Sequence, residues 1–209
     1  RGYIAAGASV TGIDNKWHGN SYPGIFFQED AISFVKEYGW LYDFIHASPP
    51  CQGYSKHTSS RSSKYVSYSK GKDEPKLISK VREILEDTNK PFVIENVMGA
   101  KDDMEDPFVL CGTMFGLPIS RHRLFETNFF IPIPSHGKCS GISKRYAEEN
   151  NIDYRDMSVT GKGRNKGTKD RWLKIMGIKD SNMTQAEVVE SIPPAYTEYI
   201  FRTWREFYA

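Results

Sequence analysis

An α/β fold built on a doubly wound sheet is the architecture this 209-residue sequence predicts. Two observations predict it. Short apolar strands alternate with amphipathic helical segments through the first 130 or so residues, as expected when helices cover both faces of a mostly parallel sheet. Several of these strands also end in polar residues, Asp14, Asp30, Cys51 and Glu95-Asn96, and ligands of open α/β sheets collect outside the carboxyl ends of strands.

The elements follow in order. Residues 1–8 read as the end of a helix and residues 9–14 as a strand closing on Asp14. Residues 24–27 form a short strand leading to Gln28-Glu29-Asp30, and residues 31–38 a helix. Residues 43–47 are a third strand, and the two prolines after it, Pro49 and Pro50, hold the backbone extended and exclude a helix. A polar loop over residues 53–73 is long enough to be functional or disordered. Pro75 suits the first turn of a helix reaching residue 87, with Leu77, Ile78, Val81, Ile84 and Leu85 on one face. Phe92-Val93-Ile94 is a buried strand ending at Glu95-Asn96, and further strands lie near residues 109–110 and 124–129. Residues 132–180 are polar, rich in Gly and Lys and weakly periodic, which reads as an insertion or small subdomain. Thr184 with Glu187 forms a capping box that opens a helix. Pro193-Pro194 interrupts it, and a last helix spans residues 195–207.

Composition bounds the function classes. Hydrophobic residues make up 39% and charged residues 26%, a globular balance. No apolar run has the length of a membrane span and none resembles a signal peptide. Three widely spaced cysteines, Cys51, Cys111 and Cys139, predict free thiols in a reducing cytoplasm. Cys111, His122, His136 and Cys139 suggest zinc, but no Cys-x-x-Cys pair exists, so no metal is expected. The net charge is only +2, so affinity for nucleic acid must come from local clusters. One runs from Lys56 through Arg61 to Lys72, interleaved with tyrosines; another contains Lys162, Arg164, Lys166, Lys169, Arg171 and Lys174.

Three ordered motifs carry the chemistry: Ala47-Ser48-Pro49-Pro50-Cys51-Gln52, then Glu95-Asn96-Val97, then Arg121-His122-Arg123. Together they resemble the signature of cytosine-C5 DNA methyltransferases. Val10-Thr11-Gly12-Ile13-Asp14 and Gln28-Glu29-Asp30-Ala31 are similar to that family's S-adenosylmethionine strands. Ser191-Ile192-Pro193-Pro194-Ala195-Tyr196 resembles the closing segment of bacteriophage-type and short bacterial members. The resemblance covers nearly the whole chain. It implies a Rossmann-like methyltransferase fold, a monomeric enzyme acting on double-stranded DNA, and a bacterial or phage-infected cytoplasm.

The resemblance also implies roles. Cys51 is the nucleophile that adds to C6 of cytosine and makes C5 nucleophilic. Glu95 holds N3 and the exocyclic amine. Arg121 and Arg123, which share a face if both lie on a strand, bring positive charge to the nucleophile and the base. Asp14, Asn15, Asp30, Ala31 and Pro50 bind S-adenosylmethionine, and Gln52, Ser55, Lys56, Arg61, Lys162, Arg164 and Lys166 bind DNA. The stacked cytosine must be extruded to reach Cys51, and the loop over residues 53–73 has the composition to close over it.

The implied organisation is a catalytic and cofactor-binding part over residues 1–130, a short target-recognition region over 131–182, and C-terminal helices over 183–209. The family's pattern is not met everywhere. Its Phe-x-Gly-x-Gly turn does not occur in this sequence, which is read as N-terminally incomplete. Ile119 stands where a glutamine is common, and Pro193-Pro194-Ala195-Tyr196-Thr197 replaces a Gly-Asn-Ser-Val segment. Two other readings compete: methylation of RNA by the same chemistry, and a catalytically silent DNA-binding remnant.

Overall fold

The protein is described by a computed structural model covering residues 1–19, 21–54, 75–157, 159, 167–179 and 182–209. It is a mixed α/β structure with both parallel and antiparallel strand pairs and several helices. The chain divides into two compact units, one formed by residues 1–31, 110–121 and 131–209, the other by residues 32–109 and 122–130.

In the first unit, β1 (Thr11–Asp14) and β2 (Ile25–Gln28) pair in parallel with Asp14 opposite Gln28. Helix α1 (Gly2–Ala5) lies against α7 (Pro194–Tyr208). Gly2 permits that approach, because a Cβ there would sit 2.1 Å from both the Pro194 carbonyl oxygen and Thr197 Oγ1. α7 begins with Pro194 in its first turn, where a missing N–H costs nothing. Its buried residues Tyr196, Thr197, Ile200, Thr203 and Trp204 recur at helical spacing and form one inward stripe.

The stretch from residue 132 to 180, whose polar composition suggested an insertion, contributes a core of its own. Helices α4 (Ile142–Glu149) and α5 (Lys169–Ile175) contribute Ala147 and the fully buried Trp172. With Ile119, Met157, Met176 and Val188 of α6 (Gln185–Glu190) they form a single apolar cluster. The Thr184–Glu187 capping box opens α6 as the sequence predicts, with Glu187 Oε2 accepting from the Thr184 amide at 2.6 Å.

The second unit holds most of α2 (Ala31–Tyr38), α3 (Ile78–Asp87) and a four-stranded sheet. The sheet consists of β3 (Ile45–Ala47), β4 (Phe92–Asn96), β5 (Phe108–Leu110) and β6 (Arg123–Thr127), in the order β3-β4-β6-β5. β3 and β4 run parallel, and β6 runs antiparallel to β4. β4 is buried along its whole length, which its near-continuous apolar sequence requires. α3 starts at Ile78 rather than Pro75, and its buried face includes Arg82 beside Ile78, Ile84 and Leu85.

Candidate active site

Parallel pairing places the ends of β3 and β4 on the same sheet edge. Ala47 lies opposite Ile94, so Ser48-Pro49-Pro50-Cys51 leaves β3 where Glu95 and Asn96 close β4. The buried Asn96 joins the two, its Nδ2 donating to the Pro49 carbonyl oxygen at 3.0 Å while its Oδ1 accepts from the Val97 amide at 2.9 Å. Pro49 is buried, whereas Pro50, Cys51 and Gln52 are exposed. Beyond Cys51 a 3₁₀ turn spans Gln52–Tyr54, and the buried Tyr54 accepts at its hydroxyl from the Ile78 amide at the start of α3. The nucleophile candidate thus stands exposed on a short segment fixed at Pro49 and at Tyr54.

Glu95 and Arg123 meet on this edge. Glu95 lies opposite Phe125 in the antiparallel β4–β6 pair, so Arg123, two residues before Phe125, is its diagonal neighbour on the same face. Arg123 Nε approaches Glu95 Oε1 at 3.2 Å, with both side chains mostly buried. Arg123 also donates through Nη1 to the His122 carbonyl oxygen at 2.9 Å. On β3, desolvation pushes His46 down to about 4, so the imidazole is neutral at pH 7; its Nε2 is 3.1 Å from Ser48 Oγ.

Arg121 has a different place from the one predicted. β6 begins only at Arg123, so the two arginines do not share a strand face. Arg121 belongs to the first unit and is buried there. Its guanidinium donates to the carbonyl oxygens of Val189 at 2.6 Å, Ser191 at 3.1 and 2.8 Å, and Val159 at 3.2 Å. It thereby satisfies carbonyls at the C-terminal end of α6, which helix geometry leaves without partners.

The cofactor candidates Asp14, Asn15, Asp30 and Ala31 lie in the first unit, at or just beyond the carboxyl ends of β1 and β2. Asp14 Oδ1 accepts from the Lys16 amide at 2.8 Å, closing a tight turn, and Oδ2 lies 3.9 Å from His18 Nε2. His18 Nδ1 in turn is 2.9 Å from Glu187 Oε1, which also accepts from Ser21 Oγ at 2.8 Å. Burial alone would raise the Glu187 carboxyl, but hydrogen bonds from His18, Thr184 and Ser21 outweigh it and hold the group at about 2. This Asp14–His18–Glu187 chain had no legible sequence signal, since its members are far apart in sequence. Of the remaining candidates, Pro50 and Gln52 lie in the second unit, and Ser55, Lys56, Arg61, Lys162, Arg164 and Lys166 lie outside the described residues.

Cys111, His136 and Cys139, all in the first unit, bring their ligand atoms within 4.8 Å of one another, a group that could hold a metal ion. These cysteines and this histidine are among the residues whose types suggest zinc in the sequence; the spacing between Cys111 and the other two hides their meeting in space. Burial raises the Cys139 thiol above its ordinary range, and charge and a hydrogen bond from Cys111 add to the effect. No helix among the described residues is long and apolar enough to cross a membrane.

Compared with protein-family models and with curated proteins, the chain matches none of them.

Proposed function

We propose that the protein transfers a methyl group to C5 of cytosine in double-stranded DNA through a covalent adduct with Cys51. The observation that carries this reading is the Glu95–Arg123 pair on the sheet edge where Asn96 holds Pro49, two residues before the exposed Cys51.

The Cys51 thiolate adds to C6 of an extruded cytosine, and the electron pair of the C5–C6 bond becomes available at C5. Glu95 hydrogen-bonds N3 and the exocyclic amine, where charge accumulates during addition. Arg123 fixes the Glu95 carboxyl group and places positive charge beside the reacting base. When bound, S-adenosylmethionine would supply the methyl group to C5 and leave as S-adenosylhomocysteine; water then takes the C5 proton, and the freed electron pair re-forms the C5–C6 bond as Cys51 leaves as thiolate. Asp14, Asn15, Asp30 and Ala31 suit that cofactor: Asp14 keeps acceptor capacity for a ribose hydroxyl after its bond to Lys16, and Asn15 and Asp30 are exposed at the strand ends. Pro50 is assigned to the same ligand. Arg121 is not carried into the catalytic set, because its donors hold backbone carbonyls.

The test is mechanism-based trapping. Full-length protein is incubated with S-adenosylmethionine and duplex DNA containing 5-fluorocytosine, whose C5 substituent cannot leave as a proton. The expected product is a protein–DNA adduct that survives denaturing electrophoresis and disappears in Cys51→Ser. An adduct on 5-fluorocytidine RNA but not on DNA moves the substrate to RNA. An adduct retained by Cys51→Ser, or none on either nucleic acid, overturns the reading.

A further inference from the structure

We propose that Cys111, His136 and Cys139, all in the first unit, form a zinc site. Cys111 is wholly buried, immediately after β5 and at the start of the 3₁₀ turn Gly112–Phe115. His136 and Cys139 come from the segment between β6 and α4, where residues 128–139 form neither helix nor strand. Two thiols and an imidazole from places 25 residues or more apart in sequence thus bring their ligand atoms within 4.8 Å of one another. Tetrahedral zinc, with bonds of about 2.3 Å to sulfur and about 2.0 Å to nitrogen, needs ligand atoms roughly 3.3–3.8 Å apart, so a contraction of no more than about 1.5 Å closes the set.

The ligand chemistry selects the ion. Two thiolates and an imidazole match zinc and disfavour hard, oxygen-seeking cations such as magnesium or calcium. Binding releases the two thiol protons, and the thiolate charges neutralise the dication. The consequence is local: the ion joins the irregular segment around residues 131–141 to Cys111 within the first unit. It adds to the ties that segment has through Ile131 in the core and the Tyr199 hydroxyl, which donates to the Pro132 carbonyl oxygen. The site is remote in role from the Cys51 chemistry, and its test does not depend on methylation.

The full chain is purified under reducing conditions without a metal-affinity tag, and its zinc is measured by elemental analysis. Cobalt(II) is then titrated into the metal-stripped protein. The expected results are about one zinc per chain and a cobalt spectrum with thiolate charge-transfer and intense tetrahedral bands. Cys111→Ser, Cys139→Ser and His136→Ala should each lower metal retention against a chelator at least about tenfold, whereas Cys51→Ser retains it. Added zinc should raise the melting temperature of the wild type but not of His136→Ala, a change at an exposed side chain that keeps folding intact. Wild-type protein with neither zinc nor a cobalt–thiolate band overturns the site, as does undiminished binding in Cys111→Ser and Cys139→Ser.

Discussion

Arg121 and Arg123 stand two residues apart, yet their surroundings ask different things of them. Arg123 pairs with Glu95 beside the strand end, whereas Arg121 spends its donors on backbone carbonyls of Val159, Val189 and Ser191. Arg121→Ala leaves those carbonyls without donors in a buried place and should cost about 2–4 kcal/mol in urea unfolding. Arg121→Lys should recover only a minor part, since one ammonium cannot reproduce a planar fork of donors. Arg123→Ala should abolish adduct formation on 5-fluorocytosine DNA, because it strands the Glu95 carboxylate beside the base; a retained adduct would remove Arg123 from the mechanism.

At the scale of elements, the tie between α3 and β6 is an ion pair inside an apolar layer. Arg82 donates to Glu126 through Nε at 2.5 Å and Nη2 at 2.9 Å, and Glu126 also accepts from the Glu105 amide at 2.8 Å. Glu126→Ala removes the buried partner and leaves Arg82 with Glu105 at 3.3 Å and the Asp103 carbonyl oxygen at 2.9 Å, so it should destabilise by about 1–3 kcal/mol. The double variant Arg82→Met/Glu126→Leu should lose less than the sum of the single changes, a coupling that a double-mutant cycle in denaturant reads directly. For α6, Thr184→Ala removes the oxygen that accepts from the Glu187 amide and should cost about 1 kcal/mol. The Tyr54 hydroxyl accepts from the Ile78 amide, which ties the short turn after Cys51 to the start of α3.

For the molecule as a whole, acid stability should fall in two stages. His46 binds its proton more weakly folded than unfolded, at about 4 against an ordinary 6.5. The unfolded chain therefore takes up more protons through that range, and stability declines as pH falls from about 6.5 towards 4. Glu187 is held at about 2 against an ordinary 4.5. Its contribution is complete above about 4.5 and is lost as pH falls towards 2. His46→Gln should flatten the upper stage and Glu187→Gln the lower one in melting temperatures measured from pH 7 to pH 3. If His46→Gln leaves the upper stage unchanged, the decline there has another origin.

Much of this was legible from local pattern. The alternating strands and helices, the capping box at Thr184 and Glu187, and the prolines that keep residues 49–50 extended follow from short-range periodicity and backbone constraint. So does the placement of Cys51 and Glu95 at strand ends, because a strand's end is set within a few residues of it. What local pattern did not hold were relations between distant segments. The Glu95–Arg123 pair depends on the β4–β6 register, the burial of Arg82 on Glu126 in another element, and the release of Arg121 from the strand on the carbonyls at the end of α6. The apolar cluster around Trp172 likewise gathers residues scattered through a polar stretch, so no window of sequence shows its period. Sequence determined which elements form, since propensity, capping and alternation act between neighbours. Only the tertiary structure decided which charges pair and which thiols and imidazoles meet, because those energies depend on separation in space and on the removal of water.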